Sequence, residues 1–395
     1  MIQIALLGFG VVGAGTAALL QKHEKLIAAR LGQTVHIKYI LDLLDFPDSP
    51  FADRIVHDFN IILNDPEITL VAEMMGGEHP AYDFSKALLE RGKSVVTSNK
   101  AVVAAFGCEL LQIARAHRVS YAFEASVGGG IPIIRPMTTD FLSGQIQAIC
   151  GILNGTTNYI LTQMRDNGKT YAEALAEAQS KGYAEKDPTA DVGGFDTCRK
   201  LCILTALATG VLPAYTEVHT EGITAIAAED VRLLSDAGYA VKLLGVMKLQ
   251  NGKPCCITAP FVCAQASPLC HVDDVFNGIL IHADPLGDTM FYGRGAGADP
   301  TASAVANDIL SLIRDGADSF APVFKAAGAG DLLPSTAFAA RRYIRTALPK
   351  EQLAALLGSV REIGTGAYLT DAAFADGDFA ALAEKRGQIS SLRIL

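Results

Sequence analysis

Residues 3–13 read Gln-Ile-Ala-Leu-Leu-Gly-Phe-Gly-Val-Val-Gly, an apolar run followed by glycines in the spacing G-x-G-x-x-G. Such a run, ended by glycine, is typical of a buried parallel strand. Glycine here permits a tight turn, lets backbone N–H groups approach a pyrophosphate and lets a helix pack closely on the strand. The motif alone also fits a purely structural turn, but its place between a strand and a helix predicts dinucleotide binding. The predicted contacts are Gly8, Phe9, Gly10, Val12 and Gly13.

Strand-like and helix-like segments alternate from this loop to about residue 125. The alternation predicts an α/β fold with a doubly wound, Rossmann-type parallel sheet. After Glu124, glycine clusters precede long amphipathic helices and further strand-like segments, which predict an α+β domain with its own sheet. A second glycine loop at 293–297 precedes an apolar helix, and the tail carries one strand-like piece and two helices. The predicted strands are 3–7, 35–41, 69–74, 94–97, 119–123 and 341–348, and the segments 239–249, 255–262 and 278–291 are predicted as strands or helix–strand mixtures.

Bulk properties restrict the class of protein. Half of the 395 residues are hydrophobic and 19% are charged, which is enough to bury more than one core. The net charge of −9 fits a cytoplasmic protein and disfavours nucleic acid or an anionic membrane as partner, since both attract basic patches. None of the eight cysteines lies in a C-x-x-C pair, which favours reduced thiols. We expect no signal peptide, and the uncharged stretch 141–164 is too rich in Gly, Asn, Gln and Thr for a membrane span.

Asp42 ends the second predicted strand, where a carboxylate accepts hydrogen bonds from the adenosine ribose hydroxyls. The next eleven residues, 43–53, contain three more acids and no Lys or Arg, and Arg54 is the first cation. Because an NADP site favours a nearby cation for the 2′-phosphate, this composition favours NAD over NADP. The alternative is that Asp42 only ends a strand in a turn.

Two loops that follow predicted strands offer polar groups. Ser98 and Lys100 lie at the carboxyl edge of the sheet, where such folds bind ligands. A lysine there can hold a cofactor or a substrate carboxylate, and a solvated surface lysine is the equal alternative. The loop 124–132 offers backbone carbonyls and the Glu124 carboxylate to a hard monovalent cation. A simple exit turn of the cofactor domain is the alternative there.

The segment 182–200 carries four carboxylates in a glycine- and proline-rich loop that turns into a helix. Asp196 and Lys200 are four residues apart and therefore share one face of that helix. Their apolar neighbours at 201–207 indicate that the helix is substantially buried. A partly buried lysine held by carboxylates suits proton transfer to a carbonyl oxygen during hydride transfer. The alternative is an ordinary surface ion pair that stabilises the helix by a few tenths of a kcal/mol.

Long stretches of the sequence resemble homoserine dehydrogenases. They run in unbroken order over roughly residues 1–320, and such ordered matches are far more specific than one glycine loop. The matching stretches are GFGVVG at 8–13, MMGGEHPA at 74–81, GKSVVTSNKA at 92–101, EASVGGGIPII at 124–134, GILNGTTNYIL at 151–161, GYAEKDPTADVGGFDTCRKL at 182–201 and GRGAGADPTASAV at 293–305.

The resemblance implies a reaction: reduction of L-aspartate 4-semialdehyde to L-homoserine with NADH or NADPH, on the route to threonine, methionine and isoleucine. Matched residue by residue, Lys200 corresponds to the general acid/base and Lys100 to a second active-site lysine. Gly297 corresponds to a cofactor contact on the nicotinamide side. The matched substrate contacts are Glu185, Asp196, Asp191, Tyr183 and Thr156. The matched ligands of a monovalent cation, Na⁺ or K⁺, are Glu124 and the backbone carbonyls of Val127, Gly129 and Ile131.

An architecture is implied as well. The cofactor domain would comprise residues 1–130 with 293–320, and a catalytic and dimerisation domain at 131–292 would build a homodimer, possibly a homotetramer. Many relatives end in a βαββαβ ACT module that senses threonine. Residues 330–395 show its first half and no Asp-x-Pro-Gly turn, so we predict a shortened or degenerate regulatory module. The alternative functions are a related dehydrogenase acting on another amino-acid semialdehyde and an inactive dinucleotide-binding paralogue.

Overall fold

The computed structural model describes residues 1–386 and 389–395. The chain divides into two compact units. The first comprises residues 1–143, 206–212 and 294–326, and the second comprises residues 144–205, 213–293 and 327–395. The tail, predicted as a module of its own, is grouped with the middle segment, and its strands continue the same sheet. The three predicted domain bounds stay a prediction.

The strands are β1 (Ile2–Leu7), β2 (Val35–Leu41), β3 (Ile55–Val56), β4 (Ile68–Glu73), β5 (Ser94–Thr97), β6 (Tyr121–Ala122), β7 (Gln145–Ile152), β8 (Val211–Leu212), β9 (His219–Thr220), β10 (Tyr239–Gln250), β11 (Lys253–Ala264), β12 (Phe276–Asp284), β13 (Gly287–Arg294), β14 (Lys325–Ala326), β15 (Ala339–Thr346), β16 (Val360–Gly364), β17 (Ala367–Thr370), β18 (Phe374–Ala375) and β19 (Ile389–Ile394). The α-helices are α1 (Val11–Lys22), α2 (Glu24–Leu31), α3 (Phe59–Asn64), α4 (Ala81–Glu90), α5 (Lys100–Ala116), α6 (Ile134–Thr139), α7 (Gly155–Asn167), α8 (Tyr171–Ser180), α9 (Thr189–Val192), α10 (Phe195–Thr209), α11 (Ala228–Asp236), α12 (Ala298–Asp315), α13 (Lys350–Leu357) and α14 (Asp376–Arg386).

The first unit is built on a six-stranded sheet of parallel neighbours in the order β3-β2-β1-β4-β5-β6. The order reverses between β1 and β4, which is the doubly wound arrangement. The last four residues of β1 are buried, as expected for a strand covered on both faces. The predicted Rossmann-type fold is confirmed. Sheets of this kind bind ligands at the carboxyl ends of the strands beside the reversal.

The second unit is built on an eleven-stranded mixed sheet. Its longest pair is the antiparallel hairpin of β10 and β11, and β7 and β12 extend it on one side. Helices α7, α8 and α11 bury apolar side chains against this sheet, with Tyr159, Leu234 and Leu243 in one core. The predicted α+β architecture is confirmed. The uncharged stretch 141–164 forms β7 and most of α7. No helix among the described residues has both the length and the apolar character that a bilayer span needs.

The tail runs from β15 through α13, β16, β17, β18 and α14 to β19, which is a βαββαβ order with the two-residue β18 added before α14. Its strands lie in the order β19-β15-β17-β16 with antiparallel neighbours, and β19 also joins β11 in parallel. The sequence predicted only one strand and two helices here, and β16, β17, β18 and β19 were missed, whereas the shortened or degenerate module stays a prediction. The missed strands are short, and β16 and β17 are joined by a turn of two residues ending in Gly366, with φ of 69°.

Candidate active site

The glycine loop after β1 places its three glycines in different environments. Gly8 has φ of 91°, a conformation that a side chain would strain. A Cβ on Gly13 would lie 2.1 Å from the Gly8 carbonyl oxygen, so only glycine lets α1 begin this close to β1. A Cβ on Gly10, the N-cap of α1, would meet no described atom within 4 Å. The loop therefore leaves space in front of a helix N-terminus, whose N–H groups attract a phosphate.

Asp42, directly after β2, is hydrogen-bonded to this glycine loop. Its carboxylate accepts the backbone N–H of Phe9 at 2.7 Å and that of Leu44 at 3.1 Å. A carboxylate offers about four acceptor positions, so these two bonds leave room for ribose hydroxyls. Asp42 thus does more than end a strand, because its side chain fixes the backbone that a pyrophosphate would approach.

Two side chains bear on the charge beside Asp42: Arg54, the first Lys or Arg after it in the sequence, and His57, which the sequence analysis did not single out. The Arg54 guanidinium turns back along the sheet and donates to the Ile37 carbonyl at 3.1 Å. His57 has Nδ1 2.8 Å from the Asp42 carbonyl oxygen and Nε2 3.1 Å from an Asp45 carboxylate oxygen. The hydrogen bond to the Asp42 carbonyl raises the pKa of His57. A lone histidine has no distinctive spacing, so no sequence signal marked it.

The loop after β5 holds Lys100 at the N-terminus of α5. The side-chain oxygen of Asn99 accepts the N–H groups of Ala101 and Val102, each at 3.2 Å, and so caps the helix. The Ser98 N–H donates to the Glu73 carbonyl at the end of β4 at 3.2 Å. The backbone that carries Lys100 is therefore held in place at the carboxyl edge of the sheet.

Lys200 and Asp196 form a buried ion pair in the second unit. Lys200 Nζ lies 2.7 Å from Asp196 Oδ2, and their side chains are only 9% and 4% exposed. Nζ also donates to the Leu153 carbonyl at 2.7 Å. The Asn154 amide donates to Asp196 at 2.9 Å and to Asp191 at 2.7 Å. Additional hydrogen bonds of this kind are what a buried pair needs to offset desolvation, and the alternative of an exposed surface pair is wrong.

The backbone around α10 explains how Lys200 reaches the end of β7. Gly194, just before the helix, has φ of 85°, and a Cβ there would meet the Glu221 carbonyl oxygen at 3.1 Å. Gly245 in β10 lets α10 lie directly on the sheet, since a Cβ there would be 3.2 Å from Leu201 and 3.3 Å from Leu153. Close packing on both sides therefore brings the Lys200 ammonium to the Leu153 carbonyl.

The other predicted substrate residues lie on α7 and the loop that follows α8. The Thr156 hydroxyl donates to the Tyr183 carbonyl at 2.6 Å. The Tyr183 ring packs edge-on against Tyr159, with centroids 5.0 Å apart, and is 43% exposed. The Glu185 side chain is exposed, and its backbone carbonyl accepts the Gln179 amide at 3.1 Å. Thr156 and Tyr183 are thus joined, whereas the Glu185 carboxylate faces solvent.

Glu124, the predicted cation ligand, uses its carboxylate to cap α6. One oxygen accepts the N–H groups of Ile133 at 2.6 Å and Ile134 at 2.8 Å, and the other accepts that of Arg135 at 2.8 Å. Burial raises the pKa of the Glu124 carboxyl, and the three backbone N–H groups oppose that rise. The role of this side chain in the structure is therefore to fix the loop from 127 to 133.

The loop itself presents carbonyl groups. Within the described part of the chain, no hydrogen bond is accepted by the carbonyls of Val127, Gly129 or Ile131. Gly129 has φ of 56°, and a Cβ there would lie 2.5 Å from the Gly295 carbonyl, so this loop packs against the second glycine loop. Gly297 of that second loop is the N-cap of α12. The described residues contain no cluster of three or more His, Cys, Asp or Glu side chains for a metal.

Comparison with known proteins decides the family. Residues 8–124 match the NAD-binding domain model of homoserine dehydrogenase, and residues 132–310 match the homoserine dehydrogenase model. The chain is 40% identical to the homoserine dehydrogenase of Synechocystis over 319 residues, which cover 79% of this chain and 73% of that one. The chain belongs to the homoserine dehydrogenase family.

Solved structures of homoserine dehydrogenases agree with this family assignment. The enzyme from Thiobacillus denitrificans superposes with a TM-score of 0.92 at 32% identity, covering 100% of this chain and 98% of that one. A hyperthermophilic archaeal homoserine dehydrogenase, solved in complex with NADPH, gives 0.67 at 26% identity, covering 78% of this chain and 97% of that one. The chain is therefore an oxidoreductase of this family with a domain that binds a nicotinamide dinucleotide.

In this member of the family the first unit holds the predicted cofactor residues and the second holds Lys200 with the predicted substrate residues. Two groups with direct contacts to those residues were not predicted: the Leu153 carbonyl and the Asn154 amide. Asn154 had a signal, since it lies in the quoted stretch 151–161, but a carbonyl has none.

Proposed function

We propose that this protein interconverts L-homoserine and L-aspartate 4-semialdehyde, and so acts in the biosynthesis of threonine, methionine and isoleucine. The observation that carries the proposal is the buried Lys200–Asp196 pair, held by the Leu153 carbonyl, in a chain of this family. A buried lysine with fixed acceptors is oriented as a proton donor, whereas an exposed one is not.

The cofactor supplies or accepts the hydride at C4 of the substrate. Lys200 would handle the accompanying proton, giving it to the C4 oxygen during reduction and taking it during oxidation. Asp196 and the Leu153 carbonyl keep Nζ in place through both directions, because both accept its N–H groups. Lys100 would act as the second active-site lysine.

The amino-acid end of the substrate needs carboxylates for its ammonium group. Asp191 and Asp196 are brought together by the Asn154 amide, which donates to both. The exposed Glu185 would add a third carboxylate, and Tyr183 with Thr156 would border the substrate. This arrangement of acids favours an amino acid over a simple hydroxy acid as substrate.

Purified protein tests the proposal directly. We expect saturable reduction of NAD or NADP with L-homoserine at alkaline pH, and weak or no reduction with L-serine, D-homoserine or 4-hydroxybutyrate. Turnover of another amino-acid alcohol in preference to L-homoserine would instead support the related-dehydrogenase alternative. Absence of turnover with either cofactor would support an inactive dinucleotide-binding paralogue.

Cofactor choice rests on the charge beside Asp42. Its carboxylate is fixed by Phe9 and Leu44, the nearest arginine turns away to Ile37, and His57 is engaged by Asp45. A 2′-phosphate placed here would meet negative charge, since like charges in a binding site cost several kcal/mol. We therefore infer that NAD is preferred over NADP.

Asp42→Asn is expected to raise the ratio of kcat/KM for NADP to that for NAD by about tenfold, which corresponds to roughly 1.4 kcal/mol. The reason is that the change removes one negative charge from the ribose site. Asp48→Asn is the matched control, because its side chain is exposed and belongs to the same acidic stretch. A wild-type preference for NADP, or equal ratios in both variants, would contradict the inference.

The loop at 127–131 fits a monovalent cation. Three carbonyls without a described donor lie within five residues, and Gly128 and Gly129 both have positive φ, so the backbone turns sharply here. Hard cations such as Na⁺ or K⁺ bind through oxygen, so these carbonyls would be the ligands. Because the Glu124 carboxylate is committed to α6, we infer that Glu124 fixes the loop and would add its backbone carbonyl.

Binding of a monovalent cation is expected to stabilise the folded protein. Thermal unfolding in KCl or NaCl is expected to occur at higher temperature than in choline chloride of equal ionic strength, since an ion that binds only the folded state stabilises it. At about one hundred times the dissociation constant this amounts to roughly 2.7 kcal/mol. Identical unfolding temperatures in all three salts would remove the cation from the proposal.

We further propose a cytoplasmic homodimer, possibly a homotetramer, formed through the segment 131–292. The edge strand β13 supports this, because it ends the large sheet and carries the 56% exposed Tyr292. The tail at 330–395 would be a degenerate ACT-like regulatory module, and its βαββαβ order, interrupted by the two-residue β18, supports that assignment. Sedimentation analysis, with and without threonine, tests both points.

A further inference from the structure

Glu73 is a buried carboxyl that the proposed reaction does not use. It is the last residue of β4, beside the reversal of the parallel sheet, and its side chain is inaccessible to solvent. Burial raises the pKa of Glu73 to about 7. Keeping an ionisable group charged at such a buried position costs free energy, and groups of this kind are concentrated at functional sites.

The carboxyl joins two loops. One oxygen accepts the Met75 N–H at 2.7 Å, and the other accepts the Thr97 hydroxyl at 2.5 Å. The Thr97 hydroxyl in turn accepts the Asn99 N–H at 2.9 Å, so its single proton is directed to Glu73. The carboxyl therefore receives a donor on each oxygen.

Asn99 closes the network. Its side-chain amide donates to the Gly77 carbonyl at 2.7 Å and to the Met75 carbonyl at 3.3 Å, while its oxygen caps the helix that begins at Lys100. The loop from Met75 to Gly77 and the loop from Thr97 to Lys100 are thereby tied together at the edge of the sheet where the dinucleotide binds.

We propose that Glu73 is a positioning residue: its ionised carboxylate holds these two loops, and with them the dinucleotide-binding edge and Lys100, and its protonation loosens them. The proposal rests on the proposed function in one respect, that this edge binds NAD(H). A carboxylate accepts both donors at once, whereas a carboxylic acid has one oxygen that itself donates and so faces another donor.

The surroundings of Glu73 define the sign of the pH effect. From β6 it is faced by the buried Tyr121, whose pKa is raised well above its usual value, first by burial and then by the Glu73 charge. From β5 and the loops it meets the neutral side chains of Thr97 and Asn99, and from β1 its register partner is Leu7. Tyr121 stays neutral, so the carboxyl is the group that titrates near neutrality. Burial raises the pKa of Glu73, whereas the hydrogen bonds from Thr97 and Met75 oppose that rise, so the network favours the carboxylate over the acid at the same buried place. The network is therefore complete above about pH 7 and weakened below it.

NADH binding to the whole protein tests this without any turnover. Titration followed by NADH fluorescence is expected to show wild-type affinity that falls about tenfold as the pH drops from about 8 to about 6. Glu73→Gln keeps the shape of the side chain, but its NH₂ group would face either the Met75 N–H or the Thr97 hydroxyl, which are both donors. It is expected to bind about tenfold more weakly at high pH and to show no pH step.

Two further variants separate positioning from folding. Thr97→Val removes one of the two donors to the carboxyl and is expected to weaken NADH binding at high pH with a smaller pH step. Glu90→Gln changes an exposed acid at the end of α4 and is expected to behave as the wild type. Unfolding temperatures measured alongside show whether each variant is folded.

The outcomes are distinct from those of the functional assay. Wild-type NADH affinity that is flat from about pH 6 to about pH 8, or a folded Glu73→Gln variant with the wild-type pH step, would overturn the role of Glu73. If Glu73→Gln does not fold, an unchanged pH step in Thr97→Val overturns it. A protein that binds NADH with the expected step but does not oxidise L-homoserine would overturn the proposed function and leave this inference in place.

Discussion

Replacing Lys200 by methionine is expected to lower kcat for L-homoserine oxidation by about 10²–10⁴-fold, the usual contribution of a positioned general acid or base. Methionine has similar length but carries no transferable proton. Because Lys200 is the group that meets the C4 oxygen in our account, the loss is expected in kcat and in kcat/KM alike, since the proton is transferred in the transition state.

The stability of the Lys200→Met variant must be measured together with its activity. Removing the lysine leaves the buried Asp196 carboxylate without its Lys200 partner, and breaking a buried pair costs about 3–5 kcal/mol. The double variant Lys200→Met, Asp196→Asn removes both charges and is expected to regain most of that stability while it stays inactive. Arg232→Met is the control, because Arg232 and Asp236 have the same four-residue spacing on an exposed helix face. Activity of Lys200→Met within about tenfold of the wild type would remove Lys200 from the proton transfer.

The second large effect is expected at the glycine loop, where two neighbouring glycines give opposite results. Gly13→Ala places a methyl group 2.1 Å from the Gly8 carbonyl, so α1 must move away from β1. Overpacking of this kind destabilises a fold by about 1–3 kcal/mol, occasionally more. Gly10→Ala meets no described atom within 4 Å and has φ of −69°, so the free protein is expected to keep its unfolding temperature.

For cofactor binding, in contrast to stability, Gly10→Ala is the variant expected to show the clear loss. The methyl group of Gly10→Ala occupies the space in which a pyrophosphate would approach the N–H groups of α1, so NADH affinity is expected to fall by at least tenfold. Calorimetric unfolding and NADH titration of the two variants measure both effects. Gly10→Ala with wild-type affinity would mean that the pyrophosphate does not lie against this turn.

Most of the first unit was predictable because its elements are locally encoded. The runs before Gly8 and before Ser98 are buried parallel strands, and such strands are apolar throughout and end at glycine or polar turns. The two-residue β3 was not predictable, since two residues have no periodicity. Helix α5 begins at Lys100 because the Asn99 side chain caps it there.

The candidate site was predictable only where its partners are close in sequence. The pair of Asp196 and Lys200 follows from helical spacing. The Leu153 carbonyl that completes it is 47 residues away, and β10 brings the two together through close packing at Gly245. Glu73 reads from the sequence as an ordinary strand end, and its significance depends on burial that only the folded sheet creates.

Transfer of deuterium tests the account most directly. The protein is supplied with L-aspartate 4-semialdehyde and NADH that carries deuterium at its transferable position, and the product is analysed by mass spectrometry. The account predicts L-homoserine with deuterium on C4, formed by the wild type and not at a comparable rate by the Lys200→Met variant. Semialdehyde left unconsumed with NADH and with NADPH, or a product without deuterium on C4, would contradict it.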